Sequence, residues 1–133
     1  MMLIGIDPGK HNGYAEYYNG KLITVTSTHT WAVISRLQSQ ILPYKVYIED
    51  PTTWKPFFRG KDQSHRLKGA GSVTARFWAI VEYLEDNNIE FVKVPIQGTS
   101  KKMDAKMFEK VTGWAERTNE HGRDAAMLIF NRK

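Results

Sequence analysis

The sequence predicts an α/β fold, a mixed sheet of about five strands with helices on both faces. Three observations carry this. Five short apolar or alternating runs read as strands, at residues 2–7, 13–18, 21–26, 45–49 and 89–94. Four stretches read as helices, at residues 30–41, from Val73 to near Asn87, 103–112 and 122–131. Their order is β-β-β-α-β-α-β-α-α. A strand meander followed by alternating elements implies antiparallel and parallel pairs in one sheet.

Each element has its own reason. "MLIGID" is a continuous apolar run that ends on an acid, Asp7, before a Pro8-Gly9 turn. Asn19-Gly20 between the second and third runs is a strong hairpin signal. Trp31, Ile34, Leu37 and Ile41 recur at helical spacing, and Pro43 stops that helix. "KVYIE" is a further apolar strand with an acid at its end, Glu49. Val73, Phe77, Ile80, Val81 and Leu84 form the apolar stripe of the second helix, which reads as core or dimer surface. Gly113 stands just past the third helix, a common stop position. Residues 50–68 lack periodicity and read as a long loop rich in Pro, basic and aromatic residues.

At 133 residues the expectation is one domain over 1–133. The chain has no cysteine, which excludes disulfides and Cys-ligated zinc. No apolar run approaches the ~18 residues of a membrane span. The N-terminus lacks the layout of a signal peptide. The expected setting is the cytoplasm, with no membrane partner. The net charge of +5 and pI near 9.5 favour a polyanionic partner.

Two readings stand for Asp7. Either it caps the Pro8-Gly9 turn, or it is held at a strand end to bind something. Glu49 also ends a strand. If the two strands are neighbours, the carboxylates converge at the carboxyl edge of the sheet, where open α/β sheets bind ligands. In "HGRDAAMLIF", His121 and Asp124 lie three apart at the start of the last helix and share a face with Leu128. Clustered carboxylates repel unless a cation sits among them. Mg²⁺ takes oxygen ligands, and two such ions can clamp a phosphodiester between attacking water and leaving oxygen. Three acids and a histidine suit that task. Asp50 follows Glu49 on the opposite side of the strand and reads as a turn residue.

"IGIDPGKHNGYA" (4–15), "VYIED" (46–50) and "HGRDAAML" (121–128) together resemble the RuvC-type Holliday junction resolvases of the ribonuclease H-like superfamily. The order of the three motifs matches across nearly the whole chain. The resemblance implies a ribonuclease H-like fold and a crossover junction endodeoxyribonuclease, probing DNA recombination and repair intermediates as a homodimer. It implies that Asp7, Glu49 and Asp124 bind two Mg²⁺ or Mn²⁺ ions. It also implies a 5′-phosphate and a 3′-hydroxyl on the products. His121 matches a position that is aspartate or histidine in the family, and it either ligates metal or positions water. The chain is short, like phage-encoded members. That implies a broader branched-DNA preference, four-way junctions and Y-forks alike, and a host cytoplasm.

The loop "TTWKPFFRGKDQSHRLKG" (52–69) interleaves Lys55, Arg59, Lys61, Arg66 and Lys68 with Trp54, Phe57 and Phe58. Basic groups bind phosphates and aromatics stack on unpaired bases. By resemblance Phe57 or Phe58 is the junction wedge; the other reading is that these aromatics cover the core or a dimer interface. Lys106, in the third helix, resembles a family lysine near the site or DNA. Lys101 and Lys102 are candidates for plain solvated charges. Gly69-Ala70-Gly71-Ser72 reads as a helix entry that holds a phosphate or simply flexes. His11, His29 and His65 carry no support beyond surface histidines. Three rivals stand beside the resolvase: a related nuclease on RNA, a non-cleaving binding module, and an actin-like or Hsp70-like ATPase. The chain is too short for the paired domains of the last.

Overall fold

The computed structural model describes residues 1–53, 63–96 and 103–132, with backbone alone for 63–70. In order it has β1 (Met2–Asp7), β2 (Asn12–Tyr18), β3 (Lys21–Thr28), α1 (Thr30–Gln38), β4 (Tyr44–Asp50), a 3₁₀ turn (Pro51–Thr53), α2 (Gln63–Asp86), β5 (Phe91–Pro95), α3 (Ala105–Thr112) and α4 (Glu120–Ile129). The strands form one mixed sheet in the order β3-β2-β1-β4-β5. β1 is its centre, antiparallel to β2 and parallel to β4.

The hairpin signal acts as its chemistry requires. Asn19 and Gly20 both have positive φ, 51° and 79°, which matches the twist of the flanking strands. The register slips by one residue between Glu16 and Tyr17, leaving Ile23 exposed at a bulge in β3.

Strand alternation divides the sheet between two cores. Met2, Ile4, Ile6, Tyr14, Val46 and Ile48 pack with Val33 and Leu37 of α1 and with Phe77, Ile80, Val81 and Leu84 of α2. Leu3, Ala15, Tyr47 and Val94 pack on the other face with Phe108 of α3 and Ala125, Ala126, Leu128 and Ile129 of α4. The expected stripe of the second helix is thus core, with Val73 half-buried at its edge. Among the described residues, no helix is long and apolar enough to cross a membrane.

Four expectations are corrected. α1 stops at Gln38, before Pro43, and its buried face is Val33 and Leu37; Trp31 and Ile41 are exposed. The reason is Gln40, which leaves the helix to donate to Glu16 Oε2 at 2.6 Å. The long loop is shorter than read, because residues 63–68 already belong to α2. Gly69 to Ser72 therefore sit inside α2, beyond the first four N–H groups a helix leaves free, and are no helix entry. β5 begins at Phe91 because Ile89 N–H closes back onto Leu84 O.

Candidate functional site

Asp7 is the last residue of β1 and is buried. It follows Ile6, so it projects from the opposite face, the one α4 covers. An aspartate that caps its own turn accepts the N–H two residues on. Here that N–H, of Gly9, goes to Asn12 Oδ1 at 3.1 Å.

Glu49 reaches the same place along β4. Ile6 stands opposite Ile48 in the parallel β1–β4 register, so Asp7 and Glu49 follow at the same level on the same face. Asp50, one residue on, turns away. Asp50 is the last residue of β4 rather than a turn residue, but its carboxylate accepts from Thr52 N–H at 2.9 Å and from the Thr52 hydroxyl and so closes the turn that follows.

α4 lies directly on the strands, and two glycines let it. A Cβ on Gly13 would stand 1.8 Å from the His121 carbonyl oxygen, and one on Gly5 would stand 2.2 Å from that of Ala125. No side chain fits at either position, so the helix backbone rests on β1 and β2 there. Asn119 fixes the start of the helix. Its Oδ1 accepts from Gly122 N–H at 2.8 Å, and its Nδ2 donates to Ser27 Oγ of β3 at 2.6 Å. His121 is thereby set beside the end of β1, with Nδ1 3.8 Å from Asp7 Oδ2.

Successive helix residues turn by about 100°. Gly122 faces Val25 and Thr26 of β3, and Ala125 faces β1 and β2. Asp124 lies about 60° from His121 in the other direction, on the side toward β4 and Glu49. Next to it, Arg123 donates to Met103 O at 2.9 Å and to Thr118 O and Oγ1, tying the entry of α3 to this turn. Lys106 is exposed in the first turn of α3. Asp104 caps that helix through Met107 N–H, which offsets basic residues at a positive helix end.

Of the expected set, Asp7 and His121 are in contact, and Glu49 and Asp124 are carried to the same end of the same face by their elements. Three carboxylates and an imidazole fit a hard divalent cation in chemistry. Side-chain gathering stops short of a closed centre: among the described residues, no three His, Asp or Glu side chains form a group able to hold a metal ion. Lys55, Phe57, Phe58, Arg59, Lys61, Lys101 and Lys102 lie outside the described residues. So do the side chains of His65, Arg66 and Lys68, whose backbone is in α2.

Sequence reasoning passed over Gly5, Gly13, Asn12 and Asn119. Each left a signal. A glycine inside an apolar strand marks close backbone approach, and an asparagine just ahead of a helix marks a cap.

No protein-family model matches the chain, and no curated protein matches it significantly. Among solved structures it resembles RuvC of T. thermophilus in complex with a Holliday junction substrate, with a TM-score of 0.66 at 17% identity. The match covers 98% of this chain and 91% of that one. The mixed five-stranded sheet with its four helices is therefore the RuvC-like, ribonuclease H-like fold.

Proposed function

We propose that this chain is a divalent-metal-dependent endonuclease that cuts branched DNA, four-way junctions included. The observation that carries the reading is one convergence. β1 and β4 run parallel side by side while α4 rests on their face through Gly5 and Gly13. That brings Asp7, Glu49, His121 and Asp124 to one end of one face, in a fold shared with a protein solved on a Holliday junction.

Asp7, Glu49 and Asp124 are the carboxylates that would hold Mg²⁺ or Mn²⁺, two ions per site, with His121 beside them. Such ions, when bound, supply a hydroxide-like water and balance charge on the leaving oxygen. Asp7 is buried, so its charge is screened little by water and its hold on a cation is strong. The His121 ring, with Nδ1 3.8 Å from the Asp7 carboxylate, either ligates metal or positions the attacking water. The His121 side chain is 47% exposed, which gives water that access. A four-way junction offers two equivalent strands, and a two-fold homodimer places one site on each.

The test is a gel assay with labelled four-way junction, Y-fork, linear duplex and structured RNA, in Mg²⁺, in Mn²⁺ and in EDTA. Paired symmetric nicks on the junction, lost in EDTA, are expected, with Y-forks cut more weakly. The Asp7→Asn protein is expected to bind the junction as the wild type does and to cut it at least ~10³-fold more slowly. Cutting of RNA alone would replace the reading with an RNA nuclease. Tight junction binding with no cutting in any metal would replace it with a binding module.

A further inference from the structure

We propose that Lys10, His11, His29 and Trp31 form a second nucleic-acid contact, a stacking and phosphate-binding surface for the DNA strand that leaves the cut site. The proposal rests on the branched-DNA reading above and names a surface that reading does not use.

These residues come from two segments, the turn after β1 and the entry to α1. The sheet joins them. Asn12 of β2 stands opposite Thr28 of β3, so the residues just outside that pair, His11 and His29, meet with ring centroids 5.7 Å apart. Asn12 is fully buried and holds both segments. It accepts from Gly9 N–H and donates to Thr28 O at 3.2 Å and Thr30 Oγ1 at 3.0 Å. The turn that follows Asp7 and the first turn of α1 are thus one unit. A strand held on the second is held in register with the first.

What this unit shows to solvent is basic and aromatic. Lys10, His11 and His29 are exposed, and Trp31 is 77% exposed. Trp31 lies about 160° round α1 from Val33, so the indole faces away from the core. The His29 side chain makes no capping hydrogen bond, so its ring is not used in closing the helix. α1 contains no acidic residue and carries Arg36 further along. A lysine cation and two imidazole rings on the same unit as a flat, water-exposed indole match phosphates flanking an unstacked base.

The test is fluorescence anisotropy with a labelled four-way junction in EDTA, so that binding is read without cutting. The proteins are the wild type, Trp31→Ala, Trp31→Phe and the double variant His11→Ala/His29→Ala, each checked for an unchanged urea midpoint. Trp31→Ala is expected to weaken binding about tenfold, and Trp31→Phe less than about threefold, because a ring still stacks. The double histidine variant is expected to weaken binding more than about threefold, because two rings able to meet phosphates or bases are removed. Binding within twofold of wild type for both Trp31→Ala and the double variant would overturn the proposal. A loss seen only with a structured RNA probe would overturn its assignment to DNA. If the variants bind normally while the wild type cuts junctions, this surface fails and the nuclease reading stands. If Trp31→Ala loses binding to a junction the wild type cannot cut, the surface stands and the nuclease reading fails.

Discussion

At the scale of residues, the site depends on atoms that carry no charge. Gly13 exposes the β2 backbone so that the His121 carbonyl can rest on it. Gly13→Ala places a methyl in backbone that cannot move alone, so α4 must lift. The expected cost is about 1–3 kcal/mol in urea unfolding, together with loss of junction cleavage, because His121 and Asp124 move with the helix. Asn119 acts from the other end, capping α4 and bonding Ser27. Asn119→Ala is expected to cost about 1 kcal/mol, and Asn119→Asp less than half that, since a carboxylate also caps. Circular dichroism through a urea titration measures both. The charged members of the candidate site could be nominated from sequence because an acid at the end of an apolar run is conspicuous. The glycines were less so, because what a missing Cβ makes room for becomes visible only when the partner helix is in place.

At the scale of elements, β2, β3 and the end of α1 are joined by a buried polar network. Glu16 accepts from the Tyr14 hydroxyl at 2.7 Å, from Thr24 at 2.6 Å and from Gln40 at 2.6 Å, while the Arg36 guanidinium lies 5.3 Å from the Tyr14 ring centre. Burial first, then the hydrogen bond to Glu16 and its charge, push the Tyr14 hydroxyl far above its ordinary value of 10.0. The folded chain therefore holds this proton more tightly than the unfolded chain does. Its contribution is full below pH 10 or so and is lost as pH rises beyond that. The urea midpoint is expected to fall above about pH 10, and Tyr14→Phe to remove most of that fall. Tyr44, raised chiefly by burial and less so by Tyr83, accounts for part of the rest. This network also explains where the helix pattern misled. The spacing of Trp31 and Ile41 mimics an apolar face, but Gln40 is drawn into the network and the helix ends before Ile41 can turn inward. The early start of α2 was hidden for a different reason. Its first turns, "QSHRLKGAGS", carry Gly69 and Gly71, both poor helix formers, and lack apolar periodicity.

At the scale of the molecule, the sheet separates the larger core from the candidate site. One face is filled by α1 and α2 and carries the larger apolar core. The other is covered by α3 and α4, and its carboxyl edge collects Asp7, Glu49, Asp124 and His121. The strand order could be inferred only as far as a mixed sheet. That β1 is central, with β4 as its parallel neighbour, is a long-range choice that no local pattern encodes. It is also the choice on which the proposed site depends, since it sets Glu49 level with Asp7.

The most direct test of that site is Mn²⁺ binding, followed by electron paramagnetic resonance at neutral pH. The proteins are the wild type, Asp7→Asn, Glu49→Gln, Asp124→Asn and, as a control one residue from the site, Asp50→Asn. The wild type and Asp50→Asn should bind alike, and each of the other three should bind at least tenfold more weakly while still unfolding cooperatively in urea, since each removes a carboxylate that would ligate the ion. Equal Mn²⁺ binding by the wild type and Asp7→Asn would contradict the assignment of Asp7, and with it the metal centre.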